Sequence, residues 1–420
     1  MAEVPEDETT GGGQASAPSS SAESSASSAS AASSRMEDQT YYHGVVPSAI
    51  VKRRLVNEGD WLVKTAQAAE RGPARVSIVV RREGRVYNYA IRKASREAGA
   101  PRRWCVHRQM RHFNNMVELV DHYRRHHLPN NVTLKNLVPR PRYHIASRDL
   151  GRMEKIGSGQ FAQVYRGTLL RRGRCGVRHI DVAIKASRPT AQPSGRAREE
   201  LLREAQIMAD LRHPNIIHLY GVAADTFPVQ VVLEYCVNGS LLRRLIALGQ
   251  RMSAEERLRH SGDTARGMAY LESKEVLHRD LAARNCLLTE RGQLKIADFG
   301  LSNNGKFPDK ASEDFAKQHW PLQWMAPETL VLQEPKFSHK SDVYSFGALL
   351  WEIYNDGRTP WEGTPIGRVG RMVRRGEHLP VDNALPVAEL MRRCFAYEPD
   401  GRPTFAQLLR ELRQLEEPQE

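Results

Sequence analysis

The sequence predicts a multidomain α+β protein in which a small α+β unit precedes a larger bilobal unit, with a β-rich lobe followed by a helical lobe. Three observations support this prediction. Strand-like and amphipathic helical runs alternate between residues 41 and 142, a glycine-rich hairpin opens a second β-rich region near residue 150, and helical patterns fill the rest. The length of 420 residues is sufficient for both units to bury cores of their own.

The composition is that of a soluble globular protein, with 40% hydrophobic and 26% charged residues. No apolar run approaches the roughly 20 residues of a membrane span, and the start MAEVPEDETT lacks the basic and apolar regions of a signal peptide. The five cysteines are scattered, without the paired spacing of a zinc site or a disulfide framework. We therefore expect a reducing, cytoplasmic setting and no transmembrane segment.

The net charge of +13 is concentrated in the smaller unit. Residues 1–40 contribute −6, residues 41–143 contribute +14 and the remainder contributes +5. This basic excess favours an anionic partner, such as a phosphotyrosine protein or an anionic membrane surface, whereas nucleic acid is not expected. A solvated basic face without a ligand is the alternative interpretation.

Residues 1–38 are predicted to form a disordered tail, because a Ser- and Ala-rich composition cannot bury enough apolar surface to offset the entropy of ordering. The compact smaller unit extends over residues 41–142, where a Pro-rich segment closes it. Its predicted strands are 60–65, 75–82 and 85–93, and its predicted helices are 48–58 and 115–126.

The larger unit extends over residues 147–416. Its hairpin IGSGQFAQVYRG leads to a strand that ends at Lys185, a helix through 199–211 and further strands to about residue 235. Mostly helical segments follow, among them 341–354 and 384–397. We expect a ligand cleft between the two lobes.

The octapeptide HRDLAARN, residues 278–285, carries the chemistry predicted for the larger unit. It brings the carboxylate of Asp280, the cation of Arg284 and the amide of Asn285 into one short loop. The carboxylate can accept the proton of an attacking hydroxyl, the amide can hold a metal ion, and the cation can neutralise a phosphoryl group. The loop is therefore suited to phosphoryl transfer.

Three further motifs occur at workable spacing around this octapeptide. Gly157 and Gly159 permit close approach of the backbone to phosphates, although the third glycine position holds alanine. VAIK provides Lys185 for the phosphates, with Glu204 on the following helix to orient it, and ADFG provides Asp298 as a second metal carboxylate. Each motif alone has a structural explanation, but the ordered set favours the functional one.

In this order the motifs match the protein-kinase signature set. Residues 147–415 resemble the tyrosine kinases in particular, because LAARN looks like their catalytic loop and PLQWMAPE looks like their substrate platform. The resemblance implies transfer of the ATP γ-phosphate to tyrosine in protein substrates, with ATP and Mg²⁺ as cofactors and Mn²⁺ as an alternative ion. It implies Asp280, Arg284, Lys185 and Glu204 as catalytic residues and Asn285 and Asp298 as metal ligands. The implied nucleotide contacts are Ile156, Gly157, Ser158, Gly159, Gln160, Val164, Ala183, Lys185, Glu234, Cys236 and Leu288.

The same resemblance implies supporting roles for four other residues. Asp342 is expected to brace the catalytic loop, and Glu328 is expected to pair with Arg402 in the helical lobe. Leu233 is expected at the back of the adenine pocket.

The smaller unit resembles a Src-homology-2 domain, because YYHG looks like the opening motif of that family and DWLVK looks like its phosphate-binding strand. The resemblance implies a phosphopeptide site at Lys64 and Thr65. Lys64 replaces the usual clamping arginine and lacks its planar fork, and Ser48, Asn88 and Ala90 replace other family residues. Weak phosphotyrosine binding and contact with the kinase lobe both remain open as the function of the unit.

The domain order, with MAYLESK, HRDLAARNCL and CFAYEPDGRP, most resembles the Fes/Fer family of cytoplasmic tyrosine kinases. The resemblance implies intracellular signalling, with adhesion and the cytoskeleton as the setting and the plasma membrane or cell junctions as peripheral locations. Between Asp298 and Glu328 there is no tyrosine, and Ser312 occupies the place of the family's activating phosphotyrosine. We predict activity without tyrosine autophosphorylation there, with phosphorylated Ser312 or the acids after it as partners of Arg279.

Two alternatives belong to other functional classes. A pseudokinase scaffold would bind partners without catalysis, but the complete set of catalytic residues argues against it. A serine/threonine kinase would differ in the amino acid that it phosphorylates.

Overall fold

The computed structural model describes residues 35–66, 75–94, 103–107, 111–158, 162–173, 176–187, 195–304, 320–331 and 334–416. Most of the predicted tail, together with Gly159, Gln160 and Ser312, lies outside these residues. The tail ends earlier than predicted, because Met36–Asp38 form a 3-10 turn and the Met36 side chain is buried in the core of the next unit.

The N-terminal unit consists of a five-stranded sheet with a helix on each face. Its elements are β1 (Tyr42–Val45), α1 (Ser48–Arg54), β2 (Asp60–Ala66), β3 (Arg75–Arg82), β4 (Arg85–Ala90), β5 (Arg92–Lys93), β6 (Trp104–Cys105), α2 (Met116–Tyr123) and β7 (Asn136–Leu137). Alternation along β2 directs Trp61 and Val63 into the core formed with α2, and Leu62 into the opposite cluster that contains α1 residues. The predicted α+β arrangement of this unit is therefore present.

Three elements of the N-terminal unit are shorter than predicted, among them α2, which covers Met116–Tyr123 of the predicted 115–126. α1 ends at Arg54 because the carboxylate of Asp60 accepts hydrogen bonds from the N–H groups of Val56 (2.9 Å) and Asn57 (2.7 Å), which turns the chain. The predicted strand 85–93 is interrupted at Ile91, and the separate strand β5 pairs with β6 instead of β3.

The β-rich lobe is an antiparallel sheet covered by one helix. Its elements are β8 (Leu150–Ser158), β9 (Ala162–Gly173), β10 (Gly176–Ser187), α3 (Gly195–Met208), β11 (Leu219–Ala223) and β12 (Gln230–Glu234). The strand order is β11-β12-β10-β9-β8, so β10 lies in the middle of the sheet, where Lys185 pairs with Val164 on β9 and Val231 on β12.

The helical lobe is built around one buried helix. Its elements are α4 (Leu241–Leu248), α5 (Ala254–Ser273), β13 (Cys286–Leu288), β14 (Leu294–Ile296), α6 (His339–Tyr354), α7 (Ile366–Arg374), α8 (Ala388–Cys394) and α9 (Phe405–Glu416). Every residue of α6 from 341 to 353 is buried. α8 is shorter than the predicted helix 384–397, because Pro386 disfavours helical backbone at the residue before it.

The N-terminal unit packs directly against the β-rich lobe. The N–H of Val45 donates to the carbonyl of Ala224 at 2.6 Å, just beyond β11. Gly44, at φ +72°, lies so close that a Cβ atom there would be 2.0 Å from the same carbonyl oxygen. This approach of two backbones therefore requires glycine at position 44.

A second part of this contact joins α1 to α3. Ile50 and Val51 belong to the same hydrophobic cluster as Leu201 and Leu202 of α3. Arg53 forms an ion pair with Glu199 at 3.8 Å between the same two helices. The helix that carries Glu204 is thus flanked by the N-terminal unit.

Candidate active site

A cavity of about 570 Å³ lies between the β-rich lobe and the helical lobe, in the predicted cleft. Its volume is in the range of sites for ligands of nucleotide size. The predicted residues at its wall are Ile156, Gly157, Val164, Ala183, Lys185, Glu204, Leu233, Glu234, Cys236, Arg284, Asn285 and Asp298. Residues that are distant in sequence therefore converge on one cavity.

Lys185 connects the two lobes at this cavity. Its Nζ is 2.8 Å from Glu204 Oε2 and 3.1 Å from Asp298 Oδ1. Burial opposes the charge of this ammonium, but the carboxylates of Asp298 and Glu204 outweigh it and raise the pKa of Lys185 above its usual range. The ammonium therefore stays charged and fixed in direction.

Asp298 has an unusual backbone conformation, with φ at +63°. Non-glycine residues in this region cost about 1–3 kcal/mol and concentrate at functional sites. Lys185 lowers the pKa of Asp298, and the N–H of Gly300 donates to its carboxylate at 3.4 Å. Asp298 is therefore held as a carboxylate that faces the cleft.

Asp280 is held by the two residues that end the octapeptide. Its carboxylate forms an ion pair with Arg284 and accepts a hydrogen bond from Asn285 Nδ2 at 2.8 Å. Burial raises the pKa of Asp280, whereas that of Asp298 is lowered. Two carboxylates with oppositely shifted pKa values suit different roles, one as a proton acceptor and the other as a permanent anion.

The helical lobe holds the catalytic loop, residues 278–285, in place through hydrogen bonds from its backbone to α6. Asp342 on α6 accepts hydrogen bonds from the N–H groups of His278 (2.8 Å) and Arg279 (2.9 Å), as expected. Arg402 forms the expected pair with Glu328 through two contacts of 2.7 and 2.8 Å. The Arg279 guanidinium lies 4.4 Å from the centroid of the Phe337 ring.

One of the predicted nucleotide contacts is wrong. Leu287, and not the predicted Leu288, lines the cavity, whereas Leu288 is fully buried in the core. Side chains alternate along β13, so adjacent residues face opposite directions. Ser158 is exposed and does not line the described cavity wall.

The segment between the lobes can offer a nucleotide mainly its backbone. The carboxylate of Glu234 is paired with Lys295 at 3.0 Å. Burial raises the pKa of the Cys236 thiol to about 12, so this thiol is protonated and unreactive.

Beside the catalytic loop, Trp324 forms a platform under Arg284, whose guanidinium lies 4.3 Å from the Trp324 ring centroid. Gln323, in the same segment, donates to the carbonyl of Pro360 at 2.6 Å. Sequence reasoning missed Glu352, which contacts both the catalytic loop and Trp324. No local motif marks Glu352, because its partners are distant in sequence.

The predicted phosphopeptide residues lie together in the N-terminal unit, where Lys64 is 5% exposed and Thr65 is 7% exposed. Lys64 Nζ donates to Ser48 Oγ at 3.0 Å, and burial lowers the pKa of Lys64. Thr65 Oγ1 is 2.7 Å from the hydroxyl of Tyr42. Asn88 and Ala90 lie on β4.

Two oxygen donors of the cavity fit a divalent cation. Lys185 keeps Asp298 ionised, and Asn285 uses its Nδ2 for the carbonyl (2.7 Å) and the carboxylate (2.8 Å) of Asp280, which leaves its amide oxygen for a metal. Hard oxygen ligands of this kind suit Mg²⁺.

In the part of the chain that the structure describes, no helix is both long and apolar enough to cross a bilayer.

Comparison with known proteins identifies the larger unit. Residues 150–412 match the family described as "Protein tyrosine and serine/threonine kinase". The chain is 32% identical over 380 residues to the tyrosine-protein kinase transforming protein Fps of avian sarcoma virus (strain PRCII), covering 89% of this chain and 67% of that protein.

Two further relatives cover 89% of this chain. The tyrosine-protein kinase transforming protein Abl of Abelson murine leukemia virus is 33% identical and is covered over 49% of its length. The human tyrosine-protein kinase Fer is 31% identical and is covered over 44% of its length, so the chain spans less than half of these two proteins. The chain therefore belongs to the protein tyrosine and serine/threonine kinase family, as the sequence predicted, and its three relatives are named as tyrosine-protein kinases.

Proposed function

We propose that the chain transfers the γ-phosphate of ATP to tyrosine hydroxyls of protein substrates with Mg²⁺, and that Mn²⁺ is an alternative ion. The observation that carries this proposal is the contact of Lys185 with both Glu204 (2.8 Å) and Asp298 (3.1 Å). Lys185 thereby joins the sheet and the helix of the β-rich lobe to Asp298, the proposed metal ligand of the helical lobe. A scaffold without catalysis has no need for this arrangement.

Each residue of the site has a role that follows from its surroundings. Asp280 accepts the proton of the tyrosine hydroxyl, and its raised pKa makes it a better base than an ordinary aspartate. Arg284 supplies positive charge beside it, and Lys185 orients the α and β phosphates. A divalent cation held by Asn285 and Asp298 neutralises phosphate charge when it is bound.

A transfer assay tests this function. The purified chain with ATP, Mg²⁺ and poly-Glu-Tyr is expected to incorporate phosphate, and chelation of the metal is expected to abolish incorporation. Phosphoamino-acid analysis should give phosphotyrosine. A product that contains only phosphoserine or phosphothreonine would favour the alternative kinase class, and no incorporation with either metal ion would favour the scaffold.

We propose further that residues 41–142 are a Src-homology-2 domain whose main role is contact with the kinase lobe. Tyr42 donates its hydroxyl hydrogen to the carbonyl of Asp225 at 3.3 Å, so Thr65 must donate its own to the Tyr42 oxygen. Thr65 then has no hydrogen left for a phosphate. Lys64, with its lowered pKa and its bond to Ser48, is also engaged inside the domain.

Two glycines with nearly the same positive φ test this contact. Gly44 has φ +72° and faces Ala224, whereas Gly84 has φ +70° and open space around it. Alanine at either site pays about 1–2 kcal/mol for left-handed backbone, but only Gly44→Ala adds the clash, worth a further ~1–3 kcal/mol. Chemical denaturation should show this difference, and proteolysis between the domains should accelerate in Gly44→Ala alone. Equal losses in both variants would rule out the contact as a source of stability.

Peptide titration of the full chain separates the two functions of this domain. We expect phosphorylated and unphosphorylated peptides of one sequence to bind with affinities within about tenfold, because Thr65 has no hydrogen left for a phosphate and Lys64 lacks the planar fork of arginine. A much stronger preference for the phosphorylated peptide would show that the domain binds phosphotyrosine. Vesicles with anionic lipid test the second anionic partner, the membrane surface, in the same experiment.

We propose a cytoplasmic location, with the membrane periphery or cell junctions as sites of recruitment. The cysteines in the described residues support it, because all four are free and buried.

A further inference from the structure

Glu352 is a buried carboxylate with no part in the phosphoryl transfer itself. It lies on α6 and is 1% exposed. Its Oε2 accepts hydrogen bonds from the N–H of Ala283 and from Nε1 of Trp324, both at 2.9 Å. One oxygen atom therefore joins the catalytic loop to the platform beside it.

Both partners of Glu352 adjoin Arg284 of the catalytic loop. Ala283 directly precedes Arg284, which forms the ion pair with Asp280. The Arg284 guanidinium in turn stacks on the ring of Trp324 at 4.3 Å. Glu352, Trp324, Arg284 and Asp280 thus form a continuous chain of contacts from the core to the base.

The same helix also holds the other end of Trp324. Ser345 Oγ donates to the Trp324 carbonyl at 2.8 Å, while Glu352 accepts from the indole N–H. Both groups belong to α6, whose residues 341–353 are all buried. Trp324 is therefore fixed at its backbone and at its ring by one rigid element.

We propose that Glu352 is a positioning residue for the tyrosine acceptor. It sets the distance between the catalytic loop and the Trp324 platform, so that an aromatic side chain on the platform presents its hydroxyl to Asp280. The inference rests on the proposed tyrosine transfer and adds to it a determinant of acceptor binding. ATP binding does not depend on it, because Glu352 does not line the nucleotide cavity in the described residues.

Steady-state kinetics with two substitutions test the proposal. Glu352→Ala leaves both N–H groups unpaired, and we expect kcat/KM for a tyrosine peptide to fall about 10- to 100-fold while KM for ATP stays within about twofold. Glu352→Gln keeps a carbonyl oxygen that can accept both bonds, so it should stay within about threefold of wild type. Equal changes for peptide and ATP in Glu352→Ala would overturn the proposal.

Two further variants separate positioning from loss of stability. Leu412→Ala removes a fully buried side chain of α9, which packs against α5, and should leave kcat/KM for the peptide close to that of wild type. A fall in kcat/KM for the peptide in Leu412→Ala as large as that in Glu352→Ala would overturn the proposal. If Glu352→Ala does not fold, Trp324→Phe tests the positioning role instead, because it deletes the indole N–H but keeps a ring under Arg284. An unchanged kcat/KM for the peptide in Trp324→Phe would then contradict the proposed role.

The control for the underlying function is the wild-type protein. If wild type transfers no phosphate to tyrosine, the proposed function fails. If wild type is active and Glu352→Ala has normal peptide kinetics, only the positioning role fails.

Discussion

Asp280→Asn is expected to lower turnover on a tyrosine peptide by about 100- to 10,000-fold, which is the usual contribution of a general base. An amide cannot accept the tyrosine proton, and its single oxygen can keep only one of the contacts with Arg284 and Asn285, which donate to different oxygens of Asp280. KM for ATP should change little, because Asp280 does not line the described nucleotide cavity. Single-turnover rates with saturating ATP provide the measurement.

A matched substitution distinguishes lost chemistry from lost structure. Asp263 on α5 is also buried, pairs with Arg266 at 2.7 Å and accepts from the N–H of Leu294 at 2.9 Å. Asp263→Asn should reduce stability and leave turnover at saturating substrate largely intact. Equal turnover of wild type and Asp280→Asn would remove Asp280 from the mechanism and would favour the scaffold interpretation.

Arg402→Met is expected to lower the free energy of unfolding by about 3–5 kcal/mol, because it leaves the Glu328 carboxylate without its partner in the interior. The Arg402 side chain is fully buried and that of Glu328 is 15% exposed. Arg402 also donates to the carbonyls of Ala396 (2.8 Å) and Lys340 (2.8 Å). Its loss therefore unpairs several buried groups at once. Chemical denaturation monitored by fluorescence gives the value.

Arg393→Met is the matched control in the same lobe. Arg393 pairs with Glu411 at 2.5 Å, but both side chains are 38% exposed. Water screens such a pair, so we expect a loss of about 1 kcal/mol or less. Similar losses in the two variants would show that burial does not govern the strength of these ion pairs.

The chemistry of the site could be read from short motifs. Asp280, Arg284 and Asn285 are neighbours in the chain, and their residue types suit phosphoryl transfer, so their proposed roles could be assigned without tertiary information. The strand that carries Lys185 was also predictable, because its β-branched run stands between turn signals. At the nucleotide site the choice between two neighbouring residues failed, because Leu287 and not Leu288 lines the cavity.

The sequence by itself determined the family, the order of the two units and the candidate reacting groups, because these depend on residue types at short spacing. The tertiary structure alone decided which distant residues support them. Glu352 meets the N–H of Ala283 across 69 residues, and Gly44 meets Ala224 between two units. Such contacts arise from the packing of whole elements, which leaves no periodic or local pattern in the sequence.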